Sequence, residues 1–113
     1  DAKYIDDGAR LCVPAEMPPA MQSSVQVLAL KAFKTLDCAG LARVDLFVTD
    51  DDAYVNEVNT MPGFTSISMY PRLWAETGVG ARELVSRLLD LGFARHAERT
   101  ALQTTRGSVK VRR

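Results

Sequence analysis

The sequence is short of the residues from which most nucleophilic and metal sites are built. His96 is the only histidine, and nothing around it forms a Ser-His-Asp or Cys-His arrangement. A lone histidine late in a helical stretch reads as a surface or helix-end residue. The two cysteines, Cys12 and Cys38, have neither metal-ligand nor redox spacing. They read as ordinary reduced, buried thiols, with a disulfide between them left open. There is no Walker lysine motif and no dinucleotide-binding glycine fingerprint. No apolar run approaches the ~20 residues needed to span a bilayer, and the N-terminus lacks the apolar core of a signal peptide. Net charge is also missing: 14 Lys and Arg balance 14 Asp and Glu. No global field therefore points to nucleic acid or a membrane surface, and the reduced thiols make the expected location cytoplasmic.

What remains is a chain of 113 residues, 47% apolar, enough for one small domain with a packed core. The charge balance hides a gradient. Residues 1–58 hold ten acids and five bases, whereas residues 95–113 hold six bases and one acid, Glu98. The expected organisation is a domain over 1–97 followed by a flexible, solvated basic tail over 98–113. The chain opens at Asp1-Ala2-Lys3-Tyr4 without an initiator methionine, which reads as part of a longer protein.

Pro18-Pro19 precede a helical pattern in which Val25, Leu28, Ala29, Ala32, Phe33 and Leu36 share one face. Pro19 suits the first turn, and Gly40 is the expected C-cap. Ala42 to Thr49 reads as a strand, Asp50-Asp51-Asp52 as a turn, and Ala53 to Asn59 as the return strand. A turn centred on Asp51 places Asp45 opposite Glu57 and Arg43 opposite Asn59, all on one face, with Val44 and Val58 behind. Directly opposed residues lie ~5 Å apart at Cβ, and a one-residue slip would destroy the arrangement. Two further helices are expected, a short one from Tyr70 to Thr77 before Gly78 and a longer one from Ala81 to about Arg95.

The strand pair carries the chemistry. Facing carboxylates repel unless something positive lies between them. The bland explanation is a salt bridge from Arg43 to one acid on an exposed sheet face. Asn59 shifts the weighting, because asparagine is depleted in strands yet stands here in the same row. Two carboxylates and an amide oxygen suit hard divalent cations such as Mg²⁺ that also bind substrate phosphates. In a two-metal clamp, Glu57 could bridge two ions while Asp45 and Asn59 take one each. Pro62-Gly63 reads as a type II turn, or as a free Gly63 N–H that joins Arg43 in receiving an oxyanion. Thr65, Ser66 and Ser68 read as a helix N-cap, or as an anion seat in which the Ser68 hydroxyl assists the first N–H groups of the helix. Lys3 and Tyr4 lie in a polar opening segment and mean little alone.

Arg43-Val44-Asp45, Asn56 through Thr65 and Ser66-Ile67-Ser68-Met69-Tyr70-Pro71 together resemble the C-terminal part of D-alanine–D-alanine ligases, which are ATP-grasp enzymes. The opening Asp1-Ala2-Lys3-Tyr4 is similar to a loop of that family, and the resemblance covers about residues 1–95. It implies an α+β fold, an ATP-grasp C-terminal subdomain in which an antiparallel sheet carries helices on one face. It also implies two Mg²⁺ ions, with Mn²⁺ able to replace them, one held by Asp45 and Glu57 and the other by Glu57 and Asn59. ATP and D-alanine would be the substrates. Arg43 and the Gly63 N–H would be the catalytic groups that stabilise a tetrahedral intermediate. Ser68 and the Met69 N–H would bind the carboxylate of the second D-alanine. Lys3 would reach the transferred phosphate, and Tyr4 would belong to a loop closing over the site. The expected product is D-alanyl-D-alanine for peptidoglycan precursors, formed with release of ADP.

The substrate domain and nucleotide-grasping lysines of the family do not occur in these residues. The rest of the enzyme, upstream of Asp1, is thus an expected partner, a homodimer is allowed, and this chain alone is expected to be inactive. Related ligases with D-lactate or D-serine as acceptor, or a non-catalytic fragment with structural salt bridges, are the alternatives.

Overall fold

The computed structural model of the chain describes residues 11–102. Helix α1 spans Pro19–Thr35, strand β1 Arg43–Val48, strand β2 Ala53–Asn59, helix α2 Met69–Glu76 and helix α3 Ala81–Ala101. The strands form a two-stranded antiparallel sheet. Helix α1 lies against both strands, and α2 packs on α3. This is the expected α+β arrangement.

Helix α1 starts as its prolines dictate, with Pro18 at the N-cap and Pro19 inside the first turn, where a missing N–H costs nothing. Its half-buried stripe is Val25, Leu28, Ala29, Ala32 and Phe33, the face expected from periodicity. Leu36, assigned to the same face, is exposed because the helix has already ended.

The end of α1 differs from expectation. Leu36 is the C-cap, and Asp37 follows it at φ 51°. The Asp37 N–H donates to Lys34 O (3.1 Å) and the Cys38 N–H to Phe33 O (3.0 Å). This double closure is the Schellman pattern, with aspartate at the left-handed position that glycine usually takes. Helix α2 ends in the same pattern, but with glycine. Gly78 lies at φ 87°, its N–H donates to Ala75 O (2.9 Å), and the Val79 N–H donates to Trp74 O (3.0 Å). Gly40, at φ 76°, lies beyond the helix end, in the link to β1. A left-handed conformation costs a non-glycine residue ~1–2 kcal/mol. Asp37→Gly is therefore expected to raise the stability of the full-length protein by roughly 1 kcal/mol, read as a higher urea midpoint at unchanged slope. The Asp37–Arg95 ion pair lost with it is 3.8 Å long and its aspartate is 93% exposed, so it offsets little.

Helix α3 continues to Ala101, past the expected end near Arg95 and into the first residues assigned to the tail. His96 is exposed on it, as expected. Residues 103–113 lie outside the described region.

The expected packed core is scarcely present. Among the described residues the buried large apolar side chains are Tyr70 and Leu84. Pro62 is buried as well. Phe93 is 74% exposed, and every α3 residue from Leu89 onward is exposed. The cysteines are free but not buried: Cys12 is exposed and Cys38 half-buried. Two strands and three helices present more apolar faces than they can cover among themselves.

Candidate active site

The hairpin sets the first part of the site. The Thr49 N–H donates to Asp52 O (2.8 Å) and the Asp52 N–H donates back to Thr49 Oγ1 (3.0 Å). The turn is thus centred between Asp50 and Asp51, not on Asp51. Beside it Val48 pairs with Ala53, Phe47 with Tyr54 and Leu46 with Val55. If that register continued, Asp45 would meet Asn56 and Arg43 would meet Val58. The ladder instead has an irregularity after Asp45, with Asn56 as the extra residue. Beyond it Asp45 faces Glu57, Val44 faces Val58 and Arg43 faces Asn59, the expected pairs. The β-bulge therefore corrects the register that the tight turn would impose. Such bulges commonly sit beside functional sites, where they re-aim side chains.

Within these pairs Arg43 is the positive group between two carboxylates. Its Nε donates to Asp45 Oδ1 at 2.7 Å and its Nη2 to Asp45 Oδ2 at 2.8 Å, a two-pronged charge-assisted contact. The same Nη2 lies 3.5 Å from Glu57 Oε1. The side chains of Arg43, Asp45 and Glu57 are 22%, 32% and 50% exposed, so the cluster is partly screened and still open to a ligand. The salt bridge of the bland reading is present in this geometry.

A carboxylate offers about four lone-pair sites, and the guanidinium takes one of Glu57's at a long distance. Asn59 Oδ1 accepts the Met61 N–H at 3.0 Å, an Asx-type turn that fixes the amide oxygen and bends the chain toward Pro62. An amide oxygen has a second lone pair. The donor set is hard oxygen on one stretch of hairpin, the kind Mg²⁺ accepts, so these residues fit the expected cation. Among the described residues no group of three or more His, Cys, Asp or Glu forms a metal cage, and this set differs in having two carboxylates and an amide.

The second part lies after β2. Gly63 does not have positive φ, which removes the type II turn reading. A Cβ at Gly63 would instead lie 2.8 Å from Ser68 Oγ, so any other residue there would displace the Ser68 hydroxyl. Among the described residues nothing accepts a hydrogen bond from the Gly63 N–H. Ser68 occupies the N-cap position of α2 but makes no side-chain cap bond. Its hydroxyl turns back to Thr65, accepting the Thr65 N–H at 2.9 Å and lying 2.8 Å from Thr65 Oγ1. The first turn of α2, including the Met69 N–H, is left uncapped by Ser68. Tyr70 anchors this loop, with its ring 6.0 Å from Phe64 and 6.4 Å from Trp74 between centroids. Such tilted and edge contacts are favourable aromatic geometries.

The structure thus brings Arg43, Asp45, Glu57 and Asn59 together on the hairpin and Gly63 and Ser68 together in the loop. Lys3 and Tyr4 lie outside the described residues. Two features escaped sequence reasoning. Thr65 entered it only as one of three N-cap candidates, although its Thr-x-x-Ser spacing to Ser68 was in view. The bulge at Asn56 leaves no compositional mark.

The sequence pattern of the family described as "D-ala D-ala ligase C-terminus" matches residues 1–90. The chain belongs to that family. It is 50% identical over 107 residues to D-alanine–D-alanine ligase A of Salmonella typhimurium, covering 93% of this chain and 29% of that protein. It is 52% identical over 108 residues to D-alanine–D-alanine ligase of Oceanobacillus iheyensis, covering 94% and 30%. Among solved structures, the D-alanine–D-alanine ligase from Coxiella burnetii superposes with a TM-score of 0.74 at 41% identity, over 76% of this chain and 25% of that one. The ligase C-terminus family thus accounts for the α+β fold. The chain spans about 30% of the length of the curated relatives it matches. Among the described residues no helix is long and apolar enough to cross a membrane.

Proposed function

We propose that this chain forms the phosphate- and metal-binding C-terminal part of an ADP-forming ligase that joins two D-alanine molecules. The observation that carries the reading is Arg43 set between Asp45 and Glu57 across the hairpin, with Asn59 in the same row. The names of the relatives support the substrate class. ATP would phosphorylate the carboxylate of the first D-alanine, releasing ADP. The amine of the second would attack the acyl carbon, and phosphate would leave as the amide forms.

In this reaction Asp45, Glu57 and Asn59 would hold two Mg²⁺ ions. When bound, Mg²⁺ neutralises phosphate charge during phosphoryl transfer, a reaction governed by positioning and charge. Arg43 would donate to the oxyanion of the tetrahedral intermediate. The Gly63 N–H would add a second donor, and its lack of a Cβ would keep the approach open. Ser68 and the Met69 N–H would orient the acceptor by its carboxylate. Lys3 and Tyr4 would act on the transferred phosphate and the closing loop. The product would supply peptidoglycan precursors in the cytoplasm.

The experiment is coupled ADP release by the full-length enzyme. D-Alanine is expected to give turnover well above D-lactate or D-serine as acceptor. Equal or greater turnover with D-lactate or D-serine would reassign the acceptor, and ADP release indifferent to any of them would remove the ligase reading.

A further inference from the structure

We infer that Thr65 is a positioning residue, which sets the Ser68 hydroxyl so that its proton faces an anionic ligand. The inference deepens, and rests on, the reading of Ser68 as the carboxylate seat for the acceptor.

Three contacts join these two residues. The Ser68 N–H donates to Thr65 O at 3.0 Å, closing the backbone turn. The Thr65 N–H donates to Ser68 Oγ at 2.9 Å. The two hydroxyl oxygens lie 2.8 Å apart, with either able to donate. A serine hydroxyl has one proton and two lone pairs. The Thr65 N–H takes one lone pair. If the Thr65 hydroxyl donates, it takes the other, and the Ser68 proton is the only part of that hydroxyl still available. A carboxylate needs a donor, so an anion beside Ser68 selects this arrangement, and both Thr65 donors strengthen the bond that Ser68 then makes.

Two further observations support this role for the hydroxyl. Ser68 stands at the N-cap of α2, where a serine ordinarily bonds the first turn, yet it makes no such bond. Beside it, Gly63 leaves room for the hydroxyl, since a Cβ there would lie 2.8 Å from Ser68 Oγ. The side chain is therefore held by its two contacts to Thr65, with the missing Cβ of Gly63 leaving space beside the hydroxyl.

The test uses the full-length enzyme and the ADP-release assay, with D-alanine and ATP varied separately. Thr65→Val keeps the shape and the backbone bond but removes the second donor. It is expected to raise the KM for acceptor D-alanine roughly three- to tenfold, the effect of one lost neutral hydrogen bond that orients the Ser68 donor, with kcat and the KM for ATP unchanged. Thr65→Ser restores the donor and is expected to restore KM to within about twofold of wild type. In Ser68→Ala the seat itself is lost, and adding Thr65→Val to it is expected to change nothing more. If Ser68→Ala raises the acceptor KM and Thr65→Val does not, the role of Thr65 is overturned while the seat stands. If Ser68→Ala leaves that KM unchanged, the seat reading falls and Thr65 with it. A Thr65→Val variant that only lowers the melting temperature, or whose effect adds fully to that of Ser68→Ala, also overturns the inference.

Discussion

Replacing Glu57 by glutamine in the full-length enzyme is expected to lower ADP release by roughly 10³-fold, because in the proposed function several kcal/mol of charge neutralisation would depend on the metal seat it completes. Glu57 lies opposite Asp45 in the ladder, and its Oε1 is 3.5 Å from Arg43 Nη2. In the proposed two-ion arrangement it would be shared by both cations, so losing its charge would weaken both. The fold should not suffer. The side chain is 50% exposed, and surface substitutions of this kind usually change stability by less than ~0.5 kcal/mol. A melting temperature near wild type combined with a collapsed rate is the expected pair of results. If Glu57 only completed a surface ion pair, the variant would turn over normally, since exposed pairs of this kind are worth little.

Arg43→Lys is the second large expected effect, a loss of about 10²–10³ in kcat despite the retained charge, comparable to removing one oxyanion donor. Arg43 holds Asp45 through two parallel bonds of 2.7 and 2.8 Å and also reaches toward Glu57. A lysine ammonium is a single point donor on a flexible stem and cannot span both Asp45 oxygens while facing a third group. Asp45 would lose its fixed orientation, and the guanidinium edge expected to meet the tetrahedral oxyanion would be gone. The KM for ATP should change less than kcat, because the group acts mainly on charge that develops during the reaction. A variant with wild-type kcat would reduce Arg43 to a structural counter-ion.

The hairpin was legible in the sequence because strand periodicity and a cluster of turn residues leave few registers open. Arg43, Asp45, Glu57 and Asn59 were placed in their observed pairs. Part of that agreement came through two differences that cancel. The turn lies half a residue earlier than expected, and the bulge at Asn56 restores the pairing. No residue type announces such a bulge, since it is a property of two strands together. The end of α1 was misplaced for a related reason. Glycine is the usual signal for a left-handed cap, and Gly40 drew that assignment, but Asp37 takes the position at φ 51°. Aspartate tolerates this conformation, but composition cannot say which of two nearby candidates will adopt it.

The loop was legible only in outline. Pro62-Gly63 suggests a turn defined by φ, whereas at Gly63 it is space that matters, since a Cβ there would lie 2.8 Å from Ser68 Oγ and displace it. Thr65, Ser66 and Ser68 are interchangeable as caps by residue type, whereas in the fold Ser68 bonds to Thr65 and not to its own helix. The expected core failed for a physical reason as well. An apolar content of 47% measures what could be buried, not which polypeptide covers it. Val85, Leu89 and Phe93 have the helical spacing of a buried face, yet all three are exposed here.

The central claim is that Asp45, Glu57 and Asn59 make a seat for two divalent cations that carry nucleotide phosphates. Counting Mn²⁺ bound to the full-length protein by electron paramagnetic resonance, with a non-hydrolysable ATP analogue at saturation, tests it without reference to turnover. The account predicts two ions per chain in the wild type and at most one in Glu57→Gln at the same metal concentration. Two tightly bound ions persisting in Glu57→Gln would contradict it.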